Sequence, residues 1–252
     1  MDFKNKTVLI TGGSRGIGRA TAEAFAQAGA KVAINFVKNS QAARDCIEAL
    51  AGEGHIAIKA DISNAGAAQH LVKETVKEFG RLDILVNNAG VHTVHPIDNC
   101  TYQQWQSAWQ KAISINLVGA ANVSYCAAQQ MIQQGGGRIV NVSSRGAFRG
   151  EPDQPAYGAS KAGMNAMSQS LAQALAKYHV FVGVVAPGFV ETDLAKDILT
   201  GPRGEGIRQQ SPLGRVARPA EVARGVLFLA SEGSEFMTGA ILDINGASYL
   251  RS

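Results

Sequence analysis

The sequence predicts a single doubly wound α/β domain, with a parallel sheet covered by helices on both faces. Three observations predict it. Short β-branched runs alternate with longer Ala-rich stretches along the whole chain, as strands alternate with crossover helices in a parallel sheet. Runs such as Ile84-Leu-Val86 are apolar at successive positions, so both faces of the strand need covering. The 252 residues are 46% hydrophobic, enough for one sizeable core, and no linker, repeat or low-complexity segment divides them.

Taken in order, strands are expected at Thr7–Thr11, Lys31–Phe36, His55–Lys59, Ile84–Asn87, Arg138–Val142, Val180–Val185 and Ala240–Ile244. Helices are expected between them at Gly16–Ala28, Ser40–Gly52, Ala65–Phe79, Thr101–Gln133, Ala156–Tyr178 and Ala220–Ala230. The stretch Thr101–Gln133 is too long for one ordinary helix, so a break is expected near Trp109–Lys111. Residues 191–211 contain Gly201, Pro202, Gly204 and Gly206. They read as a mobile loop that covers a substrate site.

The first strand leads into Thr11-Gly-Gly-Ser-Arg-Gly-Ile-Gly18 and then a helix. Gly12 suits a tight turn, Gly16 lets a phosphate approach the backbone, and Gly18 lets helix and strand pack closely. Ser14, Arg15 and Ile17 lie in the same turn, and the helix start offers free N–H groups to a pyrophosphate. The second strand ends Asn35-Phe36-Val37-Lys38 with no acid. An acid there would favour NAD over NADP. Arg15 and Lys38 stand where cations would meet a 2′-phosphate, with Asn35 adding a hydrogen bond, so NADP(H) is the expected cofactor. The alternative is that both cations are merely solvated. Asp61, before Ile62, either accepts from an adenine amino group or caps the next helix.

Tyr157 and Lys161 lie four residues apart in an Ala-rich helical stretch, so one face carries both. A cation about 5 Å from a phenol, at an effective dielectric near 20, favours the phenolate by about 3 kcal/mol. That would pull the tyrosine down by about two pH units, toward acid–base work near neutrality. By itself the pair also fits a solvated helix face.

The glycine turn, Asn87-Asn-Ala-Gly90, Asn116, Ser144, Tyr157-x-x-x-Lys161 and Pro187-Gly188 occur in one order from about Thr7 to Gly246. Together they resemble the short-chain dehydrogenase/reductase family. The resemblance implies a Rossmann-type domain with a seven-stranded parallel sheet. It also implies a homodimer or homotetramer built on Lys111–Gln133 and Ala156–Tyr178. It makes Tyr157 the general acid or base and gives Lys161 the nicotinamide ribose and the tuning of Tyr157. Ser144 would polarise the substrate carbonyl, and Asn116 would hold a water for proton return. Asn88, Ala89 and Gly90 would form the floor under the adenosine ribose, Pro187, Gly188 and Val190 would turn under the nicotinamide, and Thr192 would take the carboxamide. Ser143 rivals Ser144, but its side chain should point to the other face of the strand.

Within the family, Pro187-Gly-Phe-Val-Glu-Thr-Asp193, Leu213-Gly-Arg-Val-Ala-Arg-Pro219 and Ile244-Asn-Gly246 are most similar to bacterial 3-oxoacyl-(acyl-carrier-protein) reductases. This implies a 3-oxoacyl thioester on acyl carrier protein or CoA. The alternatives are another alcohol or ketone (sugar, steroid or xenobiotic) and a non-catalytic NADP-binding regulator. The basic footprint for an acidic carrier is thin: Gly135-Gly-Gly137 replaces one basic region, leaving Arg138, Arg149 and Lys177 as substitutes.

Other classes are disfavoured. Basic residues number 24 against 20 acidic, a net charge of +4, but they are scattered and no nucleic-acid stripe forms. No apolar run spans a membrane and the N-terminus has no signal-peptide plan, so a cytoplasmic location is expected. Cys46, Cys100 and Cys126 show neither metal nor disulfide spacing. No metal is expected. His92 and His95 either line a pocket or are polar loop residues, and Trp105 and Trp109 are expected to pack on the core or an interface.

Overall fold

The strand β1 (Thr7–Ile10) is buried at every position and pairs in parallel with both β2 (Lys31–Phe36) and β4 (Ile84–Asn87). This is the centre of the computed structural model, which describes residues 1–251. The remaining strands are β3 (Ile56–Lys59), β5 (Gly137–Val142), β6 (Val180–Pro187) and β7 (Ile241–Ile244). All seven run parallel in the order β3-β2-β1-β4-β5-β6-β7. The order reverses between β1 and β4, and ligands of such sheets bind in the crevice this opens at the strands' carboxyl ends.

Alternation along each strand feeds two cores. Val8, Ile10, Val32 and Ile34 face one side, with Phe25, Val222 and Val226. Helices α1 (Gly16–Gln27), α2 (Ser40–Ala49) and α10 (Pro219–Ala230) lie there. Leu9, Ala33, Leu85 and Ile139 face the other side, with Leu71, Val123 and Met131. Helices α3 (Ala65–Phe79), α5 (Ala120–Gln133) and α7 (Pro155–Leu175) cover it. The doubly wound expectation holds.

Local chemistry sets the boundaries. The side chain of Asn64, and not Asp61, caps α3 by accepting from the Ala67 N–H at 2.9 Å. That helix ends at Gly80, in the left-handed conformation at φ 77°. Helix α4 (Tyr102–Ala112) begins with a reciprocal Thr101–Gln104 capping box.

Two expectations need correction. The long helix does not break near Trp109–Lys111. It widens into a π-helical segment, Ile113–Gly119, and continues as α5. Residues 191–211 are not a plain loop, because they contain α8 (Asp193–Thr200) and α9 (Gly204–Arg208). A short helix α6 (Gly146–Arg149) follows β5 and precedes α7.

Candidate active site

The glycine turn fills the crevice beside β1. Gly12 and Gly16 have φ of 63° and 55°, where glycine is the least strained residue. A Cβ at Gly12 would meet the Ala89 Cα at 3.0 Å, and one at Gly18 would collide with the Gly12 carbonyl oxygen and sit 2.5 Å from Asn88 Nδ2. Asn88 Nδ2 donates to the Thr11 and Gly12 carbonyls at 3.0 Å each, while Thr11 Oγ1 accepts from the Asn88 and Ala89 N–H groups. Asn88 and Ala89 therefore brace the turn from below. Ser14 and Ile17 are partly exposed along it, and Arg15 is exposed at the start of α1.

Asn35 has another job than the expected one. It is 1% exposed. Its Nδ2 donates to Ala60 O at 2.8 Å and its Oδ1 accepts from the Gly12 N–H at 3.3 Å. Its amide holds the glycine turn to the sheet, so it is spent before a 2′-phosphate arrives. Phe36 packs partly buried against the first core. Lys38 is exposed, and neither it nor Arg15 forms an ion pair among the described residues. Asp61 Oδ1 accepts from the Ser63 N–H and hydroxyl, a local turn. Ile62 is buried against Gly119.

The second half of the site stands where β5 meets α7. Ser144 follows β5, and its Oγ accepts from the Gly146 N–H at 3.0 Å. The same hydroxyl lies near enough to the Tyr157 side chain to lower its proton affinity. Ser143 is buried and donates to the Lys161 carbonyl at 3.3 Å, so the two serines do face apart. Lys161 is 3% exposed, donates to Val142 O at 2.7 Å and lies 6.0 Å from the Tyr157 ring centroid.

Burial, rather than the neighbouring ammonium, dominates the proton affinities. Desolvation raises the Tyr157 phenol above its ordinary value; the Ser144 hydroxyl opposes this, and the Glu151 charge adds to it. Desolvation also lowers Lys161 from 10.5 to about 8. The expected downward pull of Lys161 on Tyr157 is thus overturned in the chain by itself: Lys161 is buried and Tyr157 partly so, which disfavours the charged form of each.

Asn116 lies in the π-helical segment, a departure from the α-helix that often marks functional positions. Its Oδ1 accepts from the Val91 N–H at 2.8 Å, and its Nδ2 donates to Val91 O and Ser160 Oγ at 2.9 and 3.0 Å. Both amide hydrogens are thus committed within the protein, while Oδ1 keeps a second lone pair. Gly90 lies between the two groups: a Cβ there would be 3.4 Å from Asn116 Oδ1 and 3.5 Å from Lys161 Nζ.

The loop after β6 closes the far wall. Pro187 O accepts from the Arg145 N–H, and Gly188 N–H donates to Ile244 O. Val190 is buried and bridges to Ala217. The Thr192 methyl lies 3.2 Å from where a Gly16 Cβ would stand, so Thr192 joins the two halves over the glycine turn. Positive-φ glycines, a helix start and space kept free of Cβ atoms at Gly16 and Gly90 fit an elongated dinucleotide.

Some features went beyond sequence reasoning. His95 is 2% exposed, with Nδ1 2.6 Å from Thr93 O and Nε2 accepting from the Ala156 N–H at 3.4 Å. It secures the start of the helix that carries Tyr157. Its ring packs on Trp105, which packs on Trp109, while the His92 ring faces Tyr157 at 6.5 Å. Arg145 is 3% exposed, stacks on Phe189 and holds Ser248 Oγ and Gln210 Oε1 at 2.6 and 2.8 Å. Arg138 is committed to Glu235 and Phe181, so it leaves the basic footprint expected for a carrier. Arg203 bonds to Asp153 at 3.0 Å, tying 191–211 to the approach to Tyr157. No cluster of metal-binding side chains occurs among the described residues.

This fold with a tyrosine, a serine and a buried lysine beside a dinucleotide crevice defines a dehydrogenase or reductase. A family model described as enoyl-(acyl carrier protein) reductase matches residues 12–247. The chain belongs to the short-chain dehydrogenase/reductase family of oxidoreductases. It is 36% identical over 247 residues to 3-oxoacyl-(acyl-carrier-protein) reductase FabG of Staphylococcus aureus, covering 97% of this chain and 98% of that one. It is 39% identical over 258 residues to an L-rhamnose 1-dehydrogenase (NAD(P)(+)) of Sphingomonas, covering 98% of each. A crystal structure of a short chain dehydrogenase from Burkholderia cenocepacia in complex with NADP superposes with a TM-score of 0.88 at 30% identity, over 98% of this chain and 99% of that one.

Proposed function

We propose that the chain is an NADP(H)-dependent oxidoreductase that interconverts a ketone and a secondary alcohol. The observation that carries this reading is the meeting of Ser144, Tyr157 and Lys161 in the crevice that begins at the Gly12–Gly18 turn. The nicotinamide cofactor, when bound, supplies or accepts the hydride. Tyr157 donates the proton to the carbonyl oxygen in reduction and takes it back in oxidation. Its raised proton affinity keeps it protonated at neutral pH, as a donor must be. Ser144 Oγ fixes the carbonyl oxygen beside the phenol. Lys161 presents its Nζ next to Gly90, on the side where the cofactor ribose would lie. Asn116 holds that floor in place through Val91 and Ser160. A water held at Asn116 would link Lys161 to solvent for the return of protons.

NADP(H) is supported by the absence of an acid at Asn35-Phe36-Val37, by the exposed Arg15 and Lys38, and by the NADP-bound neighbour. A 3-oxoacyl thioester, on acyl carrier protein or CoA, is the substrate class suggested by several relatives 34–37% identical to this chain. A second reading, oxidation of a hydroxylated substrate such as a sugar, is favoured by the rhamnose dehydrogenase relative and by the loss of Arg138 to Glu235. A homodimer or homotetramer would cover the exposed Tyr102, Val118 and Tyr125 on the long helix. No helix among the described residues is long and apolar enough to cross a membrane, in keeping with a cytoplasmic enzyme.

The test is NADPH consumption with acetoacetyl-CoA, simple ketones and hydroxyketones, run in parallel with NADH. Turnover with NADPH is expected. A protein that binds NADPH yet reduces none of them would be a regulator and would end the reading.

A further inference from the structure

We infer that Glu151 is a specificity-determining residue that selects a substrate with a hydroxyl group beside the reacting carbon. The inference rests on the proposed carbonyl site and deepens it by choosing between its two substrate classes.

Glu151 follows α6 and turns back onto the carbonyl site. A Cβ built at Gly146 would lie 2.9 Å from Glu151 Cγ, 3.2 Å from its Oε1 and 3.3 Å from Ser144 Oγ. The carboxylate and the serine hydroxyl therefore close on Gly146 from the same side, which places them near one another. The same charge is felt at Tyr157 and at Arg145, so the carboxylate lies in the field of the reacting group.

This partly buried carboxylate has no hydrogen bond and no ion pair among the described residues. Cations are near, but each is engaged elsewhere. Arg145 holds Ser248 and Gln210, Arg149 reaches Gln210 at 3.5 Å, and Arg203 goes to Asp153. A carboxylate left in this position takes its donors from water in the free enzyme and must take them from the substrate once water is displaced. The methylene of a 3-oxoacyl chain has no donor for it. A hydroxyl on the carbon next to the carbonyl does, and its hydrogen bond to an ionised acceptor is of the stronger kind. The same charge turns away substrates with a carboxylate at that position. A site built around a substrate hydroxyl discriminates strongly against the analogue that lacks it.

The test is a matched pair of ketones, acetoin and 2-butanone, which differ by the adjacent hydroxyl. Acetoacetyl-CoA is the third substrate, and each is reduced with NADPH by the wild type, Glu151→Gln and Glu151→Leu. The wild type is expected to prefer acetoin to 2-butanone in kcat/KM by at least about tenfold, the scale of one charge-assisted hydrogen bond. Glu151→Leu is expected to bring that ratio near one and to raise the rank of acetoacetyl-CoA, with Glu151→Gln intermediate. An unchanged ratio in Glu151→Leu, or no preference in the wild type, overturns the inference and leaves the reaction class standing. A wild type that reduces none of the three overturns both.

Discussion

The two halves of the crevice are built by opposite means. The half beside β1 is made of backbone: Gly12, Gly16 and Gly18 shape it, and Asn35 and Asn88 hold it through hydrogen bonds that close within the protein. The half at β5 and α7 is made of ionisable side chains, Tyr157 and Lys161, whose proton affinities burial shifts in opposite directions. The first is sensitive to volume and indifferent to pH. The second responds in addition to any change in proton affinity. A binding surface can be finished in advance, whereas an acid must stay poised between two states.

Four substitutions break or sharpen this contrast. The largest effect is expected from Tyr157→Phe, which keeps the ring and removes the proton. Turnover should fall by about a thousandfold, with NADPH affinity by fluorescence titration nearly unchanged. Near-wild-type turnover would show that the chemical half does not depend on this proton. Next comes Lys161. Its folded value of about 8 lies below the ordinary 10.5, so the folded state binds fewer protons than the unfolded one in between. Stability of the unliganded chain should therefore rise with pH from about 8, on the order of 3 kcal/mol if the whole interval counts. Tyr157, raised above its ordinary 10.0, opposes that rise from about pH 10 upward. Urea unfolding of Lys161→Met between pH 8 and 10 should lack the slope, and an identical slope would assign it elsewhere.

A smaller loss is expected in the backbone half. Gly18→Ala puts a methyl group against the Gly12 carbonyl and Asn88 and should destabilise by roughly 1–3 kcal/mol. Thermal unfolding reads this, and no pH dependence should accompany it; a pH-dependent deficit would blur the distinction between the halves. The smallest effect is expected at the edge, where Arg15→Ala should weaken NADPH by about tenfold and leave NADH alone. Equal weakening of both would remove Arg15 from the 2′-phosphate.

The two halves also differed in how much the sequence revealed. The sheet and glycine turn were legible because apolar strands and positive-φ glycines are local signals, and the order of Asn116, Ser144, Tyr157 and Lys161 located the second half. What went unread depends on the third dimension. Asn35 has the composition of a ligand-binding residue, and only the fold turns it inward. No sequence signal marks Arg145, and only Phe189, Gln210 and Ser248 show that it is buried. Coulomb's law gave the Tyr157–Lys161 pair a plausible sign, but the depth of burial, which no spacing reports, reversed it. Helices α8 and α9 hid behind glycine and proline.

The π-helical segment has one more consequence. An α-helix advances about 100° per residue, so a single extra residue re-phases everything after it. Ile113–Gly119 thus acts as a phase adjuster between α4 and α5. It lets Asn116 face Gly90 while Val123, Ala127 and Met131 still face the core. A chain shortened by one residue anywhere in this segment could form a more regular helix, yet it would have to give up either the site's floor or the sheet's cover. The irregular turn lets one rod serve two orientations.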